Sequence, residues 1–373
     1  MTAVPNSSDL LARWLRIALV AAAVGGALCG LAALLDLEQF LRSYLVGFLF
    51  WWAVNVGCLG LLMLYYLVGG RWGEAIRPML ESGRALVPLT AVLFLPLAFG
   101  LHYVYPWTEP GVVTEQKAMY LNPTFFYARA AGYFVSWLLL AWIVRPPRKP
   151  LTTEQASTRG LRSAGGLALL ILTVTFASID WGMSIDPAWF SSIYGALAAI
   201  GGALAALALT TLTVALLEMN RTRTETPPPT YGDLGSLLLA FLMLWAYFSF
   251  SQFLIIYSGN LPEENFWYVD RLNGGWQWVG LALVLLHFFL PFFLLLSRDW
   301  KQSPVRLAQI AGLLLVMQQV YFFYAIAPSF SPGRLYVHWA DLAAPAAVGA
   351  VWVSAYLWQV RRRLSQLSAT EQS

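Results

Sequence analysis

Few residues of this 373-residue chain can do chemistry, and most of those lie inside long apolar runs. Arg129 is followed one helical turn later by Tyr133 on the same face, and Asp180 closes the next apolar run. A guanidinium in a membrane needs a carboxylate or several carbonyls, so Asp180 is the expected partner of Arg129. That pair is either a proton-handling or quinone site or a structural ion pair near the interface. His287 lies mid-run in His-Phe-Phe-Leu-Pro. An imidazole, with an ordinary pKa of about 6.5, can relay protons there or simply pack with a hydrogen bond. His338 and Asp341, three apart at the start of the last run, share a face suited to proton entry or exit, and His102 lies at similar depth.

Tyr247, Ser251, Leu254 and Ser258 make a mostly polar stripe along one helix face, with Gln252 beside it. In lipid such a stripe is expected to face protein or water. Gln318 and Tyr321 repeat the theme, and Thr210, Thr211 and Thr213 lead toward Glu218. Together these groups can form a hydrogen-bonded proton path; taken singly, each reads equally as interhelical glue. The chain has no phosphate-binding Gly loop, Cys-x-x-Cys, HExxH or nucleophile triad. Cys29 and Cys58 fall within spans, where a thiol is small apolar filler. A bis-histidine haem needs two facing imidazoles at matched depth, and only His102 and His338 offer that match. The expectation is a chain with no metal or redox cofactor of its own.

The elements that must position these residues are membrane spans. Hydrophobic residues are 59% of the chain and charged residues 11%, more apolar surface than a soluble fold can bury. A run of about 20 apolar residues crosses a hydrocarbon core as a helix. Ten such spans are expected, at Trp14–Leu35, Tyr44–Val68, Leu86–Tyr105, Phe125–Val144, Leu161–Ile179, Phe190–Leu217, Leu234–Tyr257, Trp276–Leu296, Val305–Ala327 and Trp339–Val360. The fold class is an all-α integral membrane protein; no run alternates as barrel strands do. Pro88, Pro96, Pro291 and Pro345 are expected to kink their spans.

Most of the 23 Lys and Arg residues fall in alternate connections, from Arg13 and Arg16 to Arg361, Arg362 and Arg363. The opposite loops hold Arg42, Lys117, Arg271 and Arg334. That bias places both termini in the cytoplasm, so the net charge of +4 reports topology and not nucleic-acid binding. The first apolar run is too long for a cleaved signal. Arg-Pro-Pro-Arg-Lys-Pro from Arg145 and the run Pro227-Pro228-Pro229 mark stiff inner linkers, while the outer loops are richer in acids and aromatics. Those outer loops suit either a docking partner or an interfacial aromatic belt. Ser43-x-x-x-Gly47 and Ser191-x-x-x-Gly195 hint at parallel repeats over 41–179 and 189–328 within one polytopic domain, 1–373.

Three stretches carry a family resemblance: Gly47 to Gly73, Thr175-Phe-Ala-Ser-Ile-Asp-Trp-Gly-Met-Ser-Ile-Asp through Gly195, and Asp233 through Ser-Gly-Asn-Leu-Pro-Glu-Glu264 to Asp299. They resemble the ActF family, NrfD-like membrane subunits of bacterial alternative complex III. The resemblance implies a multi-pass protein of the bacterial inner membrane with two four-helix bundles and peripheral first and last helices. It implies a quinol:acceptor oxidoreductase in which this subunit is a scaffold and proton-conducting half-channel without a redox cofactor. The implied partners are an ActC-like quinol-binding membrane subunit, an ActB-like periplasmic iron–sulfur subunit and c-type cytochrome subunits, which carry the clusters and haems. Two other readings stay open. One is a direct quinol-binding subunit with Asp180 or a nearby His taking the proton, which a pocket plugged by Trp181 or Phe190 would count against. The other is a secondary transporter, suggested by the repeat and the kinked spans.

Overall fold

A computed structural model describes residues 7–146, 152–219 and 231–371. Arg148, Lys149, Arg221, Arg223 and the Pro227–Pro229 run lie outside the described residues. The described residues contain nine helices long and apolar enough to cross a membrane, and ten spans when one bent pair counts as a single crossing. The chain is a multi-pass all-α membrane protein. Its helices are α1 (Ser7–Leu35), α2 (Leu37–Val68), α3 (Arg71–Arg84), α4 (Val87–Phe99), α5 (Pro123–Ile143) and α6 (Thr153–Trp181). They continue as α7 (Tyr194–Glu218), α8 (Tyr231–Gly259), α9 (Pro262–Leu272), α10 (Trp276–Leu296), α11 (Pro304–Phe330) and α12 (Ala340–Glu371).

Helices α2, α4, α5 and α6 close one ring of contacts, and α7, α8, α10 and α11 close a second. The two rings share a seam where α2 and α7 cross. Glycines make that seam: a β-carbon on Gly57 would stand 2.2 Å from the Gly202 carbonyl oxygen, and one on Gly202 would stand 2.5 Å from the Ala53 carbonyl oxygen. In lipid, where apolar side chains gain nothing by leaving the solvent, such backbone approach is a main source of helix association.

The third crossing differs from the single span expected over Leu86–Tyr105. It is the pair α3 and α4, bent by 44°, followed by a separate turn at Leu101–Val104. Pro88 lies in the first turn of α4 and has no N–H for the carbonyl of Arg84, so a continuous helix cannot form there. Asn55 stabilises the bend from α2. Its Nδ2 donates to the Gly83 carbonyl at 2.7 Å, and its Oδ1 accepts from Thr90 Oγ1 at 3.0 Å.

The last span is also not peripheral. Helix α1 is nearly all exposed and packs chiefly on α12, whereas α12 packs on α2 and α3 as well and buries Trp352 and Tyr356. Gly47 of α2 lies against Pro345 of α12, whose carbonyl accepts from Trp51 Nε1 at 3.3 Å.

The arginine-rich connections gather at one end of the bundle. There Arg363 Nη1 donates to Glu81 Oε2 at 2.7 Å, and Arg159 Cζ lies 3.6 Å from the centre of the Tyr66 ring. The opposite end carries the aromatic loops.

Candidate functional site

The aromatic end holds two ionic centres, one per ring. In the first ring Arg129 projects from α5 and Asp180 from the end of α6. Arg129 Nε donates to Asp180 Oδ2 at 2.8 Å and Nη2 to Oδ1 at 3.1 Å, a two-pronged bond that fixes both planes. Tyr133, one turn deeper on α5, donates to Asp180 Oδ2 at 2.7 Å. The third guanidinium nitrogen donates to the Tyr120 carbonyl at 2.9 Å, and the Tyr120 ring covers the cation at 3.8 Å. Asp180 is wholly buried and every arm of the site is occupied by protein.

Beneath the pair, Trp181 fills the interior of the first ring. Its indole is fully buried against Phe94 (4.8 Å between ring centres), Trp52 (5.2 Å) and Phe134 (5.6 Å). Phe190, the other residue considered as a plug, points outward and is exposed. A quinol ring therefore has no space on the inner side of Asp180. Between the two rings there is a small cavity of about 20 Å³, bordered by Trp52, Tyr194 and Tyr321, which has room for about one water.

The second centre went unnoticed in the sequence. Arg271, on the short surface helix α9, is fully buried. Its guanidinium lies flat on Trp267 at 3.5 Å and donates to the carbonyls of Trp267 (2.9 Å) and Ala325 (2.6 Å) and to Ser329 Oγ (3.0 Å). Ser329 Oγ in turn donates to Asp186 Oδ2 at 2.6 Å, so one hydroxyl links cation and anion. Burial lowers Arg271 to about 10, with Asp186 opposing the shift. Burial raises Asp186 above the ordinary carboxylate value, opposed by Ser329 and then Arg271. The available signal was Asp186 in Asp-Trp-Gly-Met-Ser-Ile-Asp; nothing local marked Arg271, which reads as an ordinary loop arginine.

The histidines are not brought together. His102 is exposed and lies tilted against Tyr103, with ring centres 4.0 Å apart. His338 meets Asp341 through its backbone, since His338 N–H donates to Asp341 Oδ2 at 2.8 Å while Nδ1 accepts from Ala340 N–H at 3.3 Å. Asp341 thus ties the entrance of α12 and also accepts from Ser43 Oγ of α2 at 2.5 Å. Among the described residues, no group of three His, Cys, Asp or Glu side chains could hold a metal ion.

Along the Thr210–Glu218 stretch, Thr210 and Thr213 donate to carbonyls of their own helix, at Ala206 (2.8 Å) and Leu209 (2.8 Å), Thr211 Oγ1 is buried without a hydrogen-bond partner, and Glu218 is half-buried.

No protein-family model matches the chain, and no curated protein matches it.

The stripe on α8 turns away from the chain's own core. Tyr247 and Ser258 are exposed and Ser251 is half-buried, so the stripe looks out of the chain. The inward polar residue is Gln252. It accepts from Ser191 Oγ at 2.9 Å and donates to Tyr268 OH at 3.3 Å, joining α8 to α9 and to the loop that enters α7. Gln252 was legible only as a neighbour of the stripe, because hydropathy does not say which helix face turns inward.

Proposed function

We propose that this chain is a membrane subunit of a quinol-oxidising assembly of the alternative complex III type, located in a bacterial inner membrane with both termini cytoplasmic. It acts as a scaffold and proton-coupling element, and neighbouring subunits carry the iron–sulfur clusters and c-type haems. The quinol part of this reading rests on the three stretches that resemble the ActF family. The assembly part rests on one observation: Tyr247, Ser251 and Ser258 present hydroxyls outward from α8, a helix that is itself mostly exposed. Hydrocarbon offers those hydroxyls no partner, so a neighbouring transmembrane helix is the natural donor and acceptor. The exposed Glu263 and half-buried Glu264 of α9 lie just beyond the same helix and suit docking of a partner at the aromatic end.

The direct quinol-binding reading is weaker, since Trp181 occupies the space beneath Asp180 and protein groups fill the carboxylate's bonds. The test is purification of the tagged chain from its native membrane in mild detergent. Haem absorption and iron–sulfur paramagnetic signals should co-purify with it, and a Tyr247→Leu, Ser251→Leu variant should lose them while remaining folded. Recovery from those membranes as a stable monomer without haem would overturn the proposal.

A further inference from the structure

Midway through the second ring, one patch of the core holds polar side chains whose heteroatoms find no protein partner. His287 of α10 is fully buried, and neither Nδ1 nor Nε2 has a hydrogen-bond partner. Gln318 of α11 is equally buried, and neither its amide nitrogen nor its oxygen has one. Trp245 of α8 joins them. Its ring stacks on His287 at 4.1 Å between centres, and its Nε1 also lacks a partner. Gly201 of α7 faces the same place: a β-carbon there would stand 2.5 Å from Gln318 Nε2 and 3.8 Å from Trp245 Cδ1. All four helices of the ring thus contribute.

The backbone at His287 is special too. Residues Leu283–Phe289 form a π-helical segment inside α10. The cause lies in the sequence, because Pro291 has no N–H to give the carbonyl of His287 four residues earlier, and its ring crowds that carbonyl. The helix widens, and His287 is carried into the ring. Segments of this kind recur at functional sites.

Isolated orphan indoles occur elsewhere in this core, at Trp52 and Trp352 for example. What separates this patch is that an imidazole and a carboxamide, each with a donor and an acceptor, are left wholly unmatched in the same ring. A neutral imidazole and an amide inside a membrane are stable only when their bonds are made. Tyr321 meets Trp245 edge-on at 5.2 Å between ring centres and also borders the cavity of about 20 Å³ between the rings, so that cavity lies one side chain away from the patch.

We propose that His287 and Gln318 form a binding site for ordered water in the middle of the second ring, with Gly201 making room for the Gln318 amide and Trp245 orienting the imidazole. The site makes His287 a proton-exchanging group inside the bilayer. It does not depend on the quinol reading, since any membrane protein with this ring would have it.

The chain has three histidines, so His102→Asn with His338→Asn leaves one imidazole. With histidine labelled with nitrogen-15 and the protein in lipid nanodiscs, the His287 side-chain N–H should lose its proton in deuterated water while the amides of Val54 and Gly57 in α2 keep theirs. Gln318→Leu should shift the His287 nitrogen resonances. An imidazole N–H protected as long as those amides would overturn the proposal without any variant at the site. A folded Gln318→Leu protein with unchanged His287 resonances would overturn the shared binding; if that variant does not fold, Gln318→Met supplies the same comparison, and the exchange measurement stands alone.

Discussion

Arg129 and Asp180 face each other across α5 and α6 through a two-pronged bond, with Nε to Oδ2 at 2.8 Å and Nη2 to Oδ1 at 3.1 Å. Removing one partner leaves the other ionised and buried. Asp180→Asn or Arg129→Gln should therefore destabilise the protein by about 3–5 kcal/mol, the usual cost of breaking a buried pair from one side. Tyr133→Phe removes one hydrogen bond to a charged acceptor and should cost about 1.5–3 kcal/mol. Thermal unfolding in detergent measures both. Equal stability of Asp180→Asn and the parent would show that the pair contributes little to the fold.

The seam between the rings depends on Gly57 and Gly202. An added methyl at either position lies within 2.5 Å of backbone atoms, which cannot swing aside as a side chain can. Gly57→Ala is expected to push α2 and α7 apart and to cost about 1–3 kcal/mol as overpacking. Gly132→Ala, in open space on α5, is the control and should be near neutral. A cysteine pair across the seam, cross-linked before and after the change, reports the separation.

Asn55→Leu tests the bend. The carboxamide holds the Gly83 carbonyl and the Thr90 hydroxyl, which keep the Leu86 N–H and the Leu86 carbonyl as second partners when it is lost. A destabilisation of about 0.5–1.5 kcal/mol per lost hydrogen bond is expected, and Thr90→Val should cost less once Asn55 is already gone. A double-mutant cycle of unfolding midpoints gives the coupling; strict additivity would separate the two residues.

The Asp186 carboxyl sits above its ordinary value near 3.8 because it is buried. The folded state therefore holds a proton that the unfolded chain has already released. Stability from this group is fully present below 3.8 and is lost as the pH rises through the folded value, after which it stays flat. Asp186→Asn keeps an acceptor for Ser329 and removes the titration. The parent-minus-variant difference in melting temperature should fall across that acid window. Asp270, also raised by its surroundings, is common to both proteins and cancels. A difference that does not vary with pH would exclude Asp186 as its source.

Much of this molecule follows from residue types alone. The apolar runs require lipid as solvent and helix as the crossing form, since each span must satisfy its own backbone. An arginine within a span demands a carboxylate, and Asp180, at the outer end of the adjacent span, was the expected partner. Prolines remove amide donors from the spans, and the helix breaks at Pro88 and widens before Pro291, while Pro96 and Pro345 stay inside continuous helices. What only the tertiary structure decided is rotation. An aqueous core draws apolar faces inward and so writes its helix orientations into the sequence, but a bilayer receives an apolar face as readily as a protein interior does. Hydropathy therefore could not say that Gln252 of α8 turns in while Tyr247 turns out, that α12 is central while α1 is not, or that Arg271 leaves its loop for a pocket between Trp267 and Ser329. Those choices rest on where small residues such as Gly57, Gly202 and Gly47 let backbones meet, and that is a property of pairs of helices, not of any one segment.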